Sequence, residues 1–320
     1  ILWSAWAAAL LPLSSTPGAL AAQDGPEILE LGGHRELFVD SYAIETLIGE
    51  ARRVLQRPTA REIAVVHDAP WEGNVCCYHT VFRDDAVVRM YYRGAHSPDN
   101  ADTMKEDHPE LTCYAESADG ITWTKPNLGL FEFGGSTENN IIWMGPGTHN
   151  FSPFRDTNPA CAPEAAYKAL ALGEGGLLAL ASPDAIHWAL LHETPVITEG
   201  AFDSQNLAFW DPVRKCYVDY HRGFTDGVRA IMTSTSPDFI TWTDPVWVQY
   251  PEGTPHEHLY TNQILPYARA PRFKVGFPKR FEAQRTAPGN RMPGLSDGVF
   301  MSSRDGVMFE RWLEAFVRPG

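Results

Sequence analysis

Residues 117 to 126 read SADGITWTKP. Their core, Ser-x-Asp-x-x-x-Trp, returns as SPDAIHW from Ser182 and as SPDFITW from Ser236. A looser copy, SRDGVMF, starts at Ser303, with Phe309 in the tryptophan's place. The intervals are 65, 54 and 67 residues. Recurrence at this spacing marks a repeat architecture, in which each repeat is one supersecondary unit.

The residues between markers carry strand patterns. Cys77-Tyr78-His79-Thr80-Val81-Phe82 is aromatic and β-branched, Asp84-Asp85 makes a turn, and Val87-Val88-Arg89-Met90-Tyr91-Tyr92 follows. Leu111-Thr112-Cys113-Tyr114-Ala115 then leads into the first marker. The third unit repeats this layout with Leu207-Ala208-Phe209-Trp210, the turn Asp211-Pro212, Cys216 to Tyr220 and Val228 to Met232. A fourth strand is expected after each marker, as Pro195 to Thr198 and Val246 to Val248. Four-stranded antiparallel units repeating at this length are propeller blades. The expected fold is therefore all-β, with blades at Pro70 to Phe133, Asn139 to Thr198, Phe202 to Tyr250 and Glu257 to Phe316. A five-bladed ring truncated after blade four is the preferred form, with Leu37 to Asp40 and Arg53 to Leu55 helping to close it. Residues 23 to 320 form a single domain in this reading. The marker itself reads as structural: Ser and Asp cap a tight turn, and the Trp drops between blades as an apolar plug.

Bulk properties narrow the function. The formal net charge is −14, which repels phosphate backbones and argues against nucleic acid. Residues 1 to 22 are uncharged and largely apolar, with Ala19-Leu20-Ala21 as a small-x-small cleavage signal. They read as a partial secretory signal peptide, so the chain is expected to be secreted or periplasmic, with no membrane attachment after cleavage. The five cysteines follow no disulfide or zinc spacing and read mostly as small buried hydrophobes.

Polar residues at the starts of the innermost strands converge at one mouth of a propeller. The openings are read as Trp71-Glu72-Gly73-Asn74, Phe154-Arg155-Asp156-Thr157-Asn158, Phe202-Asp203-Ser204-Gln205-Asn206 and His256-Glu257-His258-Leu259-Tyr260. Each supplies a carboxylate among hydrogen-bonding and aromatic side chains, the inventory of glycoside hydrolysis. Asp156 is assigned to orient the sugar and stabilise charge at the anomeric carbon. Glu257 or Asp203 is the general acid, with a pKa raised by apolar neighbours. Glu72 is the nucleophile or base. Arg155, Asn206, His258, Tyr260 and Trp71 would hold the sugar. Glu72, Asp156 and Asp203 also have a structural reading as turn residues. Glu257 between His256 and His258 could suggest zinc, but on a strand the two histidines share one face with Glu257 on the other, and a third ligand is missing. His79, His149 and His221 read as structural histidines. No metal site is expected, and no cofactor beyond a structural calcium ion that the channel could hold.

Phe154-Arg155-Asp156, with the repeated markers, resembles the five-bladed propeller glycoside hydrolases of families 32, 43, 68 and 130. From Leu37 to Gly320 the chain looks most like secreted proteins related to the family 32 N-terminal domain. In family 32 an Arg-Asp-Pro motif holds the transition-state-stabilising aspartate; here Thr157 replaces the proline. The family's Trp-x-Asn-Asp-Pro and Glu-Cys motifs have no match, and Trp71-Glu72-Gly73-Asn74 is only the positional counterpart of the first. The resemblance implies a glycosidase. A carbohydrate-binding propeller without catalysis, a six-bladed sialidase-like propeller, whose Asp boxes are one residue longer than these markers, and a phosphate-dependent phosphorylase, with Lys279, Arg280 and Arg285 as its anion site, are the alternatives.

Overall fold

A computed structural model describes residues 29–98, 108–286, 288–289 and 293–319. The expected signal peptide lies outside the described residues. Four antiparallel sheets account for the strands, and each marker begins on the last residue of a third strand. Blade one is β1 (Cys77–Asp84), β2 (Val87–Gly94), β3 (Leu111–Ser117) and β4 (Ile141–Trp143). Blade two is β5 (Ser152–Arg155), β6 (Tyr167–Gly173), β7 (Gly176–Ser182) and β8 (Ala189–Leu190). Blade three is β9 (Leu207–Asp211), β10 (Cys216–Thr225), β11 (Val228–Ser236) and β12 (Val246–Trp247). In blade four, β13 (His258–Leu259) precedes the inner strand β14 (Ile264–Tyr267). β15 (Ala270–Gly276), β16 (Lys279–Glu282), β17 (Leu295–Ser303) and β18 (Phe309–Val317) follow. β15 and β16 pair with different parts of β17, and β18 pairs with its other edge. The described residues from Arg35 onward belong to one compact unit.

The marker turn has one geometry throughout. In the first copy, Ser117 Oγ accepts the Gly120 N–H at 2.8 Å, and Asp119 Oδ1 accepts the Ile121 and Thr122 N–H groups at 2.7 Å each. The aspartates at 184, 238 and 305 accept the equivalent pairs of amides at 2.7–2.9 Å. The residue after each aspartate takes a positive φ: Gly120 82°, Ala185 69°, Phe239 71° and Gly306 82°. Only glycine holds that conformation without strain, so two copies carry a cost that the turn's hydrogen bonds offset. The aromatic at the marker's end then packs between blades. Trp188 sits edge-on to Tyr91 and Phe151, and Trp242 edge-on to Phe239 beside Phe154 and Tyr217. Phe309 lies edge-on to Tyr220 of blade three.

The structure corrects several boundaries. Ile141–Trp143 pairs with β3 and so closes blade one instead of opening blade two. The fourth strand of blade two is Ala189–Leu190; Ile197 makes only an isolated bridge to Leu177. Blade four's inner strand is Ile264–Tyr267, not the His256–Tyr260 stretch, because His258–Leu259 pairs with β16. No fifth sheet forms among the described residues. Leu37 to Asp40 and Arg53 to Leu55 pair with no strand. They lie along blade four through side chains instead: Asp40 with Arg304 at 2.8 and 2.9 Å, and Arg53 with Glu310 at 3.8 Å and over the Trp312 ring at 5.6 Å. Further along, Lys125 of blade one holds the Val66 carbonyl at 2.6 Å. Residues 35 to 66 thus run from blade four to blade one. Of the cysteines only Cys113 is fully buried; the other four are half-buried, and all five are free.

Candidate functional site

The inner strands neighbour one another in the order β1, β5, β9, β14. Just before three of them stand Asn150, Asn206 and Asn262, equally spaced along the chain and buried. Asn150 and Asn206 both donate to the Phe202 and Ser204 carbonyls, at 2.6–3.1 Å. Ser204 Oγ donates to the Tyr260 carbonyl at 2.8 Å. These bonds fix the loop before β9 from three sides. Asp203 stands at its tip, between the buried Phe202 and Ser204, with a side chain 59% exposed.

Asp203 is the centre of a polar constellation. Tyr78 Oη donates to its Oδ1 at 3.1 Å, and His149 Nε2 lies 3.0 Å from the same atom. His149 Nδ1 is 2.8 Å from Glu110 Oε1, which also accepts from Arg93 at 2.7 Å. Arg222 lies 3.9 Å from Asp203 Oδ2. The charges set one another's pKa. Hydrogen bonds to Asp203 and Glu110 raise His149 to about 9, against the opposing effect of burial. The His149 hydrogen bond, with help from Tyr78 and Arg222, holds Asp203 at about 2. Near neutral pH the pair is therefore imidazolium and carboxylate.

Tyr78 carries backbone strain. Its φ is 54°, and it sits where the β1–β2 register slips between Cys77 and Thr80. A bulge that re-aims a side chain beside a site is a recurrent use of this irregularity, and strain at a non-glycine residue points to a functional constraint. Gln205 donates to Thr80 Oγ1 at 2.8 Å and to the His79 carbonyl at 3.1 Å, tying blade three to blade one beneath the mouth. Beside this constellation His67 and His79 approach to 2.9 Å, and burial together with the His67 charge lowers His79 to about 4.

Among the residues expected from sequence, Asp203 and Tyr260 stand at this mouth. Tyr260 lies under the Arg222 guanidinium, 4.7 Å from ring centroid to charge. His258 is nearby and accepts the Arg229 N–H at 3.1 Å. Asn206 is fully buried and spends its amide on the loop. Glu72 is also fully buried. Burial would raise its pKa, but hydrogen bonds from His67, Lys125, Tyr92 and the Ala69 N–H outweigh it and hold the carboxyl at about 2. Trp71 is spent on Asn140, Nε1 to Oδ1 at 2.6 Å, and its ring packs edge-on to Phe133. Glu257 is gripped by Arg311 at 2.8 Å and Arg280 at 3.3 Å. A general acid needs a raised pKa; the depressed value of Asp203 runs against that expectation.

Asp156 and Arg155 do not join the others. β5 starts at Ser152, so Phe154-Arg155 ends the strand and Asp156 follows it, at the opposite mouth. The Asp156 side chain is fully buried, paired with Lys168, and accepts from Tyr217 Oη at 2.7 Å and the Asn158 N–H at 2.8 Å. The same device recurs in blade one. Asp84 ends β1, pairs with Arg89 at 2.7 Å and accepts Tyr167 Oη of the next blade at 2.7 Å. Asp211 ends β9 and pairs with Lys274 of the next blade at 2.6 Å. A carboxylate after the inner strand that reaches into the next blade is thus a repeated inter-blade tie. Arg155 itself pairs with Asp84 and Asp85, at 3.0 and 2.9 Å. Arg155 and Asp156 do line the cavity at that mouth, about 680 Å³, together with Phe82, Phe154, Trp210 and Pro266, and its exposed wall area is mostly apolar.

Sequence reasoning missed His149, Glu110, Arg93 and Arg222. The regular asparagines were the available signal: His149 precedes Asn150 directly, as Gln205 precedes Asn206. Among the described residues no three His, Cys, Asp or Glu side chains cluster as metal ligands. No described helix is long and apolar enough to cross a membrane.

No protein-family model matches the sequence, and no curated protein sequence does. Solved structures match it in fold. The structure of a BT0996–RGII complex aligns with 82% of this chain over 79% of its own length, at TM-score 0.52 and 16% identity. A candidate glycosidase from Bacteroides thetaiotaomicron aligns over 83% and 84%, at TM-score 0.50 and 14% identity. A structure from the GH130 family of mannoside phosphorylases and glycoside hydrolases aligns over 86% and 84%, at TM-score 0.49 and 15% identity. At these identities the likeness is one of fold: an all-β, propeller-type chain with four antiparallel blades.

Proposed function

We propose that this chain is a carbohydrate-active propeller of the glycoside hydrolase type, engaging a glycan at the mouth where Asp203, Tyr78 and His149 meet. The observation that carries the reading is Asp203: an exposed, ionised carboxylate on a rigid loop, flanked by Tyr78 and by a second charged pair. Carboxylates and planar aromatics are the groups that grip sugar hydroxyls and sugar faces. The fold likeness to a candidate glycosidase supports the same class. In this scheme Asp203 acts as base or as stabiliser of positive charge at the anomeric carbon. The His149 imidazolium, held between Asp203 and Glu110, is the proton-bearing group beside it. The proposed substrate is a glycan met outside the cytoplasm, following the leader-like residues 1 to 22.

One observation favours a second reading, glycan binding without turnover. The carboxyls with resolved shifts near the mouth, Asp203 and Glu72, are both held low, and neither is kept protonated as a general acid. Reducing-sugar release from a panel of plant, algal and microbial glycans, run with and without phosphate, separates the readings. Release by the wild type that disappears in Asp203→Asn establishes the hydrolase. Glycan binding without release, again lost in Asp203→Asn, establishes the binding module. An Asp203→Asn variant equal to wild type in both assays overturns the site.

A further inference from the structure

Beside Asp203 the structure gathers positive charge around one ring. Arg222 and Phe224 stand two residues apart on β10 and so share a face, and Arg229 of β11 is the cross-strand partner of Phe224. Lys279 comes from the start of β16. The cationic groups of Arg222, Arg229 and Lys279 lie 4.7, 5.1 and 5.1 Å from the centroid of Tyr260. Phe224 and Phe281 flank them, at 5.5 and 6.0 Å from the Arg229 guanidinium.

These cations are poorly neutralised from within. Arg222 is 6% exposed, spends Nε on the Ala201 carbonyl at 3.0 Å, and leaves Nη1 buried with no hydrogen bond. Its one carboxylate, Asp203, stands off at 3.9 Å and is already engaged by Tyr78 and His149. Arg229 Nε is also buried without a partner. Asp226, between the two arginines in sequence, is exposed in the β10–β11 turn, and the acids around Tyr260 and Lys279 are committed elsewhere: Glu257 to Arg280 and Arg311, Asp297 to Arg280, and Glu282 to Arg280 and Arg285. A chain of net charge −14 has spare carboxylates, yet among the described residues only Asp203 comes within 4 Å of any of these three cations, at Arg222. Buried guanidinium N–H groups without acceptors are costly unless a ligand supplies the acceptor.

We infer that this cluster receives an anionic substituent of the bound glycan, a carboxylate or a sulfate ester. Its oxygens would accept from Arg222 Nη1, Arg229 and Lys279, and the sugar face would lie on Tyr260 or Phe224. Arginine suits this task because its planar fork matches an oxyanion. The inference rests on the glycan-binding reading above and names the substrate class for the same mouth.

The test is calorimetric titration of the full chain with uronic-acid oligosaccharides, their carboxyl-reduced neutral counterparts, sulfated oligosaccharides and inorganic phosphate. An acidic ligand should bind at least roughly tenfold more tightly than its neutral counterpart, the scale of one charge-assisted hydrogen bond. The preference should shrink as salt rises. Lys279 is exposed, so Lys279→Gln should fold normally; it should remove most of the preference, and Arg229→Gln should do the same. Uronate and sulfate arms decide which oxyanion is taken. Equal binding of acidic and neutral glycans, untouched by Lys279→Gln, overturns the inference and leaves the glycan reading standing. No binding of any glycan overturns both. Phosphate binding lost in Lys279→Gln, with neutral glycans cleaved only in its presence, also overturns the inference and makes the cluster a co-substrate site.

Discussion

Replacing Asp156 by Asn tests whether this aspartate serves chemistry or architecture. The substitution keeps the side chain's shape and removes its charge. Lys168 then has no counter-charge, only neutral acceptors such as the Ala165 carbonyl at 3.1 Å and Cys161 Sγ at 3.2 Å, with its side chain 6% exposed. In the native protein burial acts to lower the Lys168 pKa, and Asp156 outweighs it and leaves the ammonium above the usual lysine range. Removing one partner of a buried pair costs about 3–5 kcal/mol, because the other charge stays buried and uncompensated. For a domain of this size that corresponds to a loss of roughly 5–8 °C in Tm. The interface between blades two and three should loosen first, since Tyr217 crosses it to reach Asp156. The assay is thermal and urea unfolding of wild type, Asp156→Asn and the double variant Asp156→Leu/Lys168→Met. The double variant should recover part of the loss, since it buries no unpaired charge. An Asp156→Asn protein of wild-type Tm that has lost all turnover would refute the inter-blade account and return Asp156 to the reaction.

The remaining predictions concern the mouth and the markers. His149, raised from 6.5 to about 9, adds stability that is full below about 6.5 and is lost as pH rises through about 9. Asp203, lowered from 3.8 to about 2, contributes above about 3.8 and loses that contribution as pH falls through about 2. Ligand binding should therefore hold steady from about pH 4 to 8 and weaken beyond about 9; an NMR titration placing His149 near 6.5 would contradict the ion pair. Gly120→Ala places a side chain at φ 82° with nothing nearer than Val88 Cγ2 at 3.9 Å. Its cost, about 1–2 kcal/mol, is then that of the backbone alone, and an unchanged urea midpoint would show that the marker turn tolerates any residue.

Much of the fold was legible because its causes are local. A Ser and an Asp two residues apart fold back onto the next amides whatever surrounds them, so four copies of the marker located four third strands. β-branched and aromatic runs located most of their neighbours for the same reason. The candidate site was less legible. Asp203 and Tyr260 could be picked from polar openings of strands. Arg155-Asp156 looked equally apt until the start of β5 at Ser152 put it at the other end of the strand. A shift of a few residues along an inner strand exchanges one mouth of the ring for the other, and no local pattern registers it.

By itself the sequence determined the repeat, the strand class, the marker turns and the acidic surface, because each depends on neighbours within a few residues. Only the tertiary structure decided which carboxylates stay open to solvent. Glu72, Asp156 and Glu257 acquire cations from Lys125, Lys168 and Arg311, all distant enough along the chain that only folding brings them together. Asp203 meets Tyr78 and His149 from two other blades and stays open to solvent. Charge neutralisation is a property of the assembled ring, and so the site became visible only once the blades were in place.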